Sequence, residues 1–170
     1  MFQFRRLKLI ALPVAALAVA ACGGSSSIAP TATANSTPAT RLAAAQRQLV
    51  GAYKNPVGVT GRTLGLSIVT IPAGVKLPLH FHEGTQVAFI QTGILSYAVK
   101  SGQVRVMSGL ADQGPKPVRT ISAGQTGEIT TGQWIVEQPS TIHSAQAKTK
   151  VVVLLATLLK TGAPPATPVK

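Results

Sequence analysis

Three histidines are the side chains best suited to bind a metal in this 170-residue chain, and the sequence contains no other histidine. His80 and His82 lie two positions apart on a predicted strand, so both rings point to one face, because side chains alternate along a strand. His143 lies far along the chain, on a second predicted strand. Neutral imidazole binds divalent Fe, Mn, Ni, Cu and Zn. Three imidazoles on neighbouring strands would form one face of a coordination sphere and leave the other open to water, oxygen or a substrate.

Gln86 is placed to join this site. It follows the turn Glu83-Gly84-Thr85, and an antiparallel return of the chain can bring its amide beside the two rings. Glu83 could act as a general base, but its position in a turn also fits a solvated side chain. Three aromatic side chains could either line a cavity at the site or serve as ordinary barrel packing: Phe89, Tyr97 and Trp134.

Other kinds of catalysis have little support in the sequence. A Ser-His-Asp hydrolase is disfavoured because every histidine is already assigned, which leaves Ser140 and Thr141 without a base. Apart from the histidines, the predicted barrel strands carry only Glu128 and Glu137 as carboxylates. Chemistry that needs a protein proton shuttle is therefore disfavoured relative to metal-centred oxidation or simple binding.

The elements that must position these residues are short β-strands. From Arg62 onward the chain consists of β-type runs broken mostly by Gly or Pro, which is typical of an antiparallel sandwich or barrel. Before them, 41–53 could form either a short helix capped by Thr40 or an entering strand, and 108–117 is expected to be a surface loop. The predicted strands are Thr63–Ile71, Lys76–Phe81, Gln86–Gln91, Ile94–Val99, Gln103–Met107, Val118–Ile121, Gly127–Thr130, Gln133–Glu137, Ile142–Gln146 and Lys150–Leu158.

One set of these residues resembles the first sequence motif of the cupin superfamily. The set has the family's spacing throughout, although the family normally has Glu where this chain has Gln86. The motif residues are Gly74, His80, His82, Gln86 and Gly93.

A second stretch is similar to the weaker second cupin motif, with Gly132, Pro139 and His143 in its key places. Its segment from Pro139 to His143 is one residue short and lacks the usual Gly. The resemblance covers roughly 63–158 and implies an all-β fold, a single cupin jelly-roll barrel, often dimeric. It also implies a metal site whose ligands come from two hairpins: His80, His82 and His143, with Gln86 as a candidate fourth ligand.

Two classes of function follow from the resemblance, since a fold alone does not select between them. The first is a mononuclear divalent transition-metal centre that presents the metal to a small organic ligand, as in cupin dioxygenases, decarboxylases or isomerases. The second is a small-molecule-binding or structural protein of the cell envelope that has lost the metal. The sequence favours metal binding and leaves catalysis open.

The N-terminus has the features of a bacterial export signal. Basic residues in the first eight positions precede the apolar run Leu9–Ala21, which is too short to span a bilayer. The run ends in Val19-Ala20-Ala21-Cys22, which resembles the lipobox that directs lipidation of the cysteine. We therefore expect an exported lipoprotein anchored through Cys22 at the outer membrane or the outer face of the cytoplasmic membrane. The alternatives are an ordinary secretory signal and a buried cysteine.

Charge and composition complete the expected organisation. Three of the 16 basic residues lie in the signal, so 13 would remain against four acidic ones, a net charge of about +9. These basic residues are scattered and not interleaved with aromatics, so nucleic-acid binding is not expected. The chain then divides into a signal peptide at 1–21, an acylated cysteine and flexible linker at 22–40, a lead-in segment at 41–62, the barrel at 63–158 and a Pro-rich tail at 159–170.

Overall fold

The computed structural model describes residues 44–139 and 141–169. These residues form twelve β-strands and a single 3-10 turn, Ala111–Gln113, with no α-helix among them. The strands are β1 (Gln46–Lys54), β2 (Arg62–Ile71), β3 (Lys76–Phe81), β4 (Gly84–Thr92), β5 (Ile94–Ser101), β6 (Gln103–Ser108), β7 (Lys116–Ser122), β8 (Thr126–Thr130), β9 (Gln133–Glu137), β10 (Ile142–Ala147), β11 (Val151–Lys160) and β12 (Thr167–Pro168).

The strands form two antiparallel sheets. The larger sheet has the order β1-β2-β11-β4-β9-β6-β7, and the smaller has the order β12-β3-β10-β5-β8. Strands distant in sequence are therefore neighbours: β11 lies between β2 and β4, and β10 lies between β3 and β5. This interleaving is the jelly-roll arrangement, and it confirms the predicted all-β jelly-roll fold.

Alternating side chains from both sheets fill the interior. In β5, for example, Leu95, Tyr97 and Val99 are buried, while the residues between them are partly exposed. Burying one side chain of this size stabilises the fold by roughly 1.5–3 kcal/mol. The side chains of β5 thus alternate between the interior and the outer face, as strand geometry requires.

The glycines of the two motifs lie at sharp turns. Gly74, Gly93 and Gly132 have φ values of 80°, 93° and 81°, a region that residues with a Cβ rarely adopt. At Gly93 a Cβ would also overlap the carbonyl oxygen of Lys150, because the β4–β5 turn packs directly against the segment before β11. Glycine is needed at these positions because the turns require a positive φ. These turns set the positions of the strands that carry the histidines.

Three segments outside the predicted strands adopt definite structure. Of the two interpretations of 41–53, the described part is a strand: β1 pairs with β2 and is exposed at every position. The expected loop at 108–117 contains the 3-10 turn, but β7 already begins at Lys116. In the Pro-rich tail, β12 pairs with β3, so the tail runs along the barrel.

The predicted export signal, the predicted lipidation site at Cys22 and the predicted linker to residue 40 lie outside the described residues. Within the described ranges, no helix is long and apolar enough to cross a membrane.

Candidate metal centre

Three imidazole rings converge inside the barrel. His143 on β10 lies directly opposite His80 on β3 in the antiparallel pair, and His82 follows two positions later, just after β3 ends. The ring centroids lie 4.3 to 5.2 Å apart, and all three residues are buried. One ligating nitrogen from each ring lies within 4.8 Å of the others. The two distant segments thus meet at the point that the sequence predicted.

Backbone carbonyls orient all three rings. In chain order, the Nδ1 atoms of the three histidines lie 2.6, 2.7 and 3.3 Å from the carbonyl oxygens of Pro78, Pro165 and Thr141. A carbonyl oxygen only accepts hydrogen bonds, so the nitrogen that faces it carries the proton in a neutral ring. This assignment leaves the lone pair on Nε2 of each ring, which is the arrangement that metal-binding histidines commonly have.

Burial favours the neutral form of two of these rings. Desolvation, together with the positive charge that His80 can carry, lowers the pKa of His143 to about 4. Desolvation also lowers the pKa of His82, although the nearby Glu137 carboxylate opposes this shift. Near pH 7 both rings are therefore neutral and have an unprotonated nitrogen available as a ligand.

Glu137, at the end of β9, is a fourth polar residue of the cluster. Its Oε1 lies 3.3 Å from His143 Nε2, and its Oε2 lies 3.5 Å from His82 Nε2. Tyr97 donates its hydroxyl proton to Oε1 at 2.8 Å, and the Gln86 amide donates to Oε2 at 3.3 Å. The carboxylate is buried and surrounded by polar groups.

Sequence reasoning counted Glu137 only as one of two barrel carboxylates and did not place it at the site. The sequence does contain a signal for this position. Side chains alternate along β9, so Glu137 lies on the same face as Ile135, and these two residues are the buried ones of the strand. A carboxylate at a core-facing position needs a partner, because an isolated buried charge is very costly. Such a residue is a candidate for the nearest cluster of cationic or metal-binding groups.

The donor set fits a divalent transition metal. The Nε2 lone pairs of His82 and His143 face the carboxylate oxygens of Glu137. A lone pair and a carboxylate oxygen are both hydrogen-bond acceptors, and they repel each other unless a cation lies between them. Within the described part of the chain, the buried Gln86 Oε1 has no hydrogen-bond partner. Three imidazole nitrogens with a nearby carboxylate oxygen suit first-row divalent metals such as Fe, Mn, Ni, Cu or Zn.

A cavity of about 100 Å³ adjoins the cluster. Its polar lining consists of His82, Gln86, Tyr97, Glu137 and His143, and the contacts around Glu137 bring these five side chains together at one end. The rest of the lining is apolar: Val69, Ile71, Leu77, Ala88, Ile90, Leu95, Ile135, Ala145, Val153 and Leu155. The site therefore combines a polar end, which could bind a metal, with an apolar cavity.

Two of the three expected lining aromatics lie elsewhere. Tyr97 lines the cavity, but Phe89 and Trp134 do not. These two are paired across β4 and β9, on the face opposite to that of Ala88 and Ile90, because side chains alternate along β4. Trp134 donates its indole N–H to the Gly109 carbonyl at 2.9 Å, which holds it against the β6–β7 connection.

Two other carboxylates lie at the surface. Glu83, considered above as a general base, lies in the turn after β3, and its side chain is 37% exposed. It faces Lys160 at 3.7 Å. Glu128 on β8 pairs with Lys148 and is also well exposed. Glu83 is thus the solvated turn residue of the two interpretations that the sequence allowed.

No protein-family model and no curated protein sequence matches the chain. Among solved structures, an RmlC-like cupin from Shewanella frigidimarina is similar at a TM-score of 0.47 and 15% identity, over 70% of this chain and 79% of the other. KdgF from Halomonas sp. gives 0.43 and 18%, over 66% and 77%. Salicylate 1,2-dioxygenase from Pseudaminobacter salicylatoxidans gives 0.43 and 16%, over 66% of this chain and only 26% of the enzyme.

The classification of the fold rests on this chain's own features. The two interleaved antiparallel sheets, the motif glycines at their turns, and the meeting of imidazoles from β3 and β10 all agree with one architecture. The described part of the chain is a jelly-roll β-barrel, the fold that cupins have, with a three-histidine cluster that could bind a metal.

Proposed function

We propose that this protein is an exported lipoprotein of the bacterial cell envelope that binds one divalent transition metal through His80, His82 and His143. The proposal also holds that the protein presents this metal to a small organic ligand. The observation that supports the metal site is that each ring's Nδ1 faces a backbone carbonyl, while one nitrogen from each ring lies within 4.8 Å of the others. Ordinary packing of three imidazoles would not require this common orientation. Export and lipidation are proposed from the N-terminal sequence alone.

The cavity supports a small, largely apolar ligand. Its volume of about 100 Å³ is somewhat less than the roughly 150 Å³ of an apolar cavity that accepts benzene. Among the lining residues of the described chain there is neither Lys nor Arg, so an anionic group would have to pair with the metal itself. The Gln86 Oε1, which has no partner among the described residues, can accept a hydrogen bond from a hydroxyl or amide group of the ligand. A short hydroxylated compound fits these constraints.

A bound metal would supply a Lewis-acidic centre able to take a ligand oxygen or dioxygen. The protein's own contribution is to orient the imidazoles, exclude bulk water and offer an apolar wall. Once the imidazoles hold the metal, Tyr97 and Glu137 are the ionisable side chains that remain in the cavity lining among the described residues, which favours dioxygenase-type oxidation over acid–base chemistry. The alternative, a non-catalytic binding or structural cupin, is favoured by Gln86 standing where the family has its glutamate.

Metal content tests the central claim. The chain from Gly23 to Lys170 would be purified and analysed for bound elements beside His143→Ala and a matched control, Gln146→Ala, on the exposed face of the same strand. We expect about one transition metal per chain in the parent and in the control, and a loss in His143→Ala. A parent chain that takes up none of Fe, Mn, Ni, Cu and Zn, even when each is added in excess as the divalent ion, would overturn the proposal.

Turnover and anchoring need separate measurements. Oxygen uptake with enolic, phenolic and short hydroxylated compounds, coupled to loss of the compound, would establish an oxidoreductase. Tight binding without turnover would establish the non-catalytic alternative. For the anchor, Cys22→Ser should release the protein from the membrane fraction of expressing cells and abolish labelling by radioactive palmitate. Unchanged fractionation and labelling would rule out lipidation at Cys22.

A further inference from the structure

We infer that Glu137, supplied by β9, provides the carboxylate of the metal centre, and that Gln86 is a positioning residue for it rather than a metal ligand. This inference rests on the proposed metal site and changes its composition. The family position for a glutamate is occupied by Gln86 in this chain, and the carboxylate has in effect moved to the neighbouring strand.

The distances place Glu137 beside two of the imidazoles. Its two oxygens each face a different ring, at 3.3 and 3.5 Å from the Nε2 atoms of His143 and His82. Neighbouring donor atoms around one metal lie about 3 Å apart when metal–ligand bonds are about 2.1 Å long. The observed separations are close to that spacing, and small side-chain movements would suffice to close the difference.

The strand register explains why a carboxylate at position 137 could replace one at position 86. Gln86 on β4 and Glu137 on β9 are directly opposite in the antiparallel pair. Side chains opposite each other share one face, with Cβ atoms about 5 Å apart. A carboxylate on either strand can therefore reach the same region of the cavity, so moving it across the pair preserves the donor set.

The hydrogen bonds assign different roles to the two residues. The Gln86 amide nitrogen lies 3.3 Å from Glu137 Oε2, and an amide nitrogen is a donor only. Turning the amide around would place its oxygen against the carboxylate, so Glu137 itself sets the amide orientation. Tyr97 donates to the other carboxylate oxygen at 2.8 Å. Both donors are neutral, so they orient the carboxylate without neutralising its charge.

A different role for Glu137 would be to pair with protonated histidines in a site without metal. The two roles predict different results when the carboxylate is moved. If Glu137 serves as a metal ligand, a carboxylate at position 86 can replace it, because both positions face the same region. If it serves only as a partner for protonated rings, metal affinity should not depend on it.

The test compares three variants with the parent chain: Glu137→Gln, Gln86→Glu, and the exchange Q86E/E137Q. Affinity for Co(II) and Zn(II) would be measured by competition with a chelator, and the visible spectrum of the Co(II) form would report its coordination. The matched control is Glu128→Gln, which removes a surface carboxylate on β8. Circular dichroism and thermal unfolding would establish that each chain is folded.

We expect Glu137→Gln to bind metal at least about 10-fold more weakly and to change the Co(II) spectrum, whereas the exchange variant recovers most of the parent affinity. Glu128→Gln should match the parent. Parent-like binding by Glu137→Gln would overturn the inference, as would an exchange variant as weak as Glu137→Gln. If Glu137→Gln does not fold, the exchange variant alone decides. A parent chain that binds no metal would instead refute the proposed function.

Discussion

His82 donates its Nδ1 proton to the carbonyl oxygen of Pro165 across 2.7 Å. The ring thus depends on a segment that lies 83 residues further along the chain. That segment is held by β12, whose Thr167 and Pro168 pair with Phe81 and His80 on β3. The Pro-rich tail therefore serves as a structural support for the three-histidine cluster.

Removal of the tail should weaken metal binding. A chain that ends at Gly162 loses the Pro165 carbonyl, so His82 is free to rotate, and affinity should fall by about 10- to 100-fold. A chain that ends at Ala166 keeps that carbonyl but loses the β12 pairing, and serves as the comparison. Chelator competition would measure both. Equal weakening in the two chains would assign the effect to the β12 pairing, and parent-like affinity in both would contradict the role of the tail.

The metal-free protein should lose stability in mild acid. The pKa of His143 is lowered to about 4 in the folded protein, whereas an unfolded histidine titrates near 6.5. Between these values the unfolded chain binds the proton more readily, so the free energy of unfolding decreases as the pH falls from about 6.5 towards 4. The loss from this group is at most about 3 kcal/mol, and His82 acts in the same direction.

Urea unfolding of the metal-free chain at a series of pH values would measure this dependence. His143→Gln should flatten the curve in that window, because the substituted side chain does not titrate. Stability that rises as the pH falls through the same window would contradict the assignment of a buried neutral imidazole.

Two glycine substitutions should differ in cost because of the space around each residue. Gly93 and Gly132 have similar positive φ values, 93° and 81°, so replacement by alanine adds backbone strain of about 1–2 kcal/mol at either site. At Gly93 the new methyl group would also overlap the Lys150 carbonyl, whereas the surroundings of Gly132 are open. Gly93→Ala should therefore have the lower free energy of unfolding by about 1 kcal/mol or more. Equal losses, measured by chemical unfolding, would argue against the tight β4–β5 turn.

Tyr97→Phe separates two functions of one side chain. Burial, with a smaller contribution from Glu137, raises the pKa of Tyr97, so its hydroxyl stays protonated and donates to the carboxylate. The ring also stacks on His143, with centroids 4.8 Å apart and planes inclined by 17°. Phenylalanine keeps the stack and removes the donor, which should cost about 2 kcal/mol of stability.

Tyr97→Leu removes both contacts and should cost more than Tyr97→Phe. Thermal and urea unfolding would measure both variants. The loss in Tyr97→Phe gives the contribution of the hydroxyl, and the further loss in Tyr97→Leu gives the contribution of the ring stack on His143. If Tyr97→Phe is as stable as the parent, the hydroxyl does not hold Glu137 in the way that the distance indicates.

The strands were predictable because their signals are local. Runs of β-type residues and the Gly and Pro that break them are local features of the sequence, so β3 and β9 were predicted with the bounds that the structure has. His80 and His82 share a face because side chains alternate along a strand. The segment 41–53 left two interpretations open, since its sequence is compatible with both a helix and a strand. Only the pairing of β1 with β2 selects the strand.

The remaining features of the site depend on which strands become neighbours. Glu137 reaches the imidazoles because β9 pairs with β4, and Pro165 reaches His82 because the tail runs along β3. Phe89 lies outside the cavity because the packing of the two sheets decides which face of β4 is interior. The sequence alone thus determined strands β2 to β11, the fold class and the three histidines, since local β-type runs and motif spacing encode them. Only the tertiary structure decided where the carboxylate lies and which carbonyl orients His82, because contacts between distant segments form only when the barrel closes.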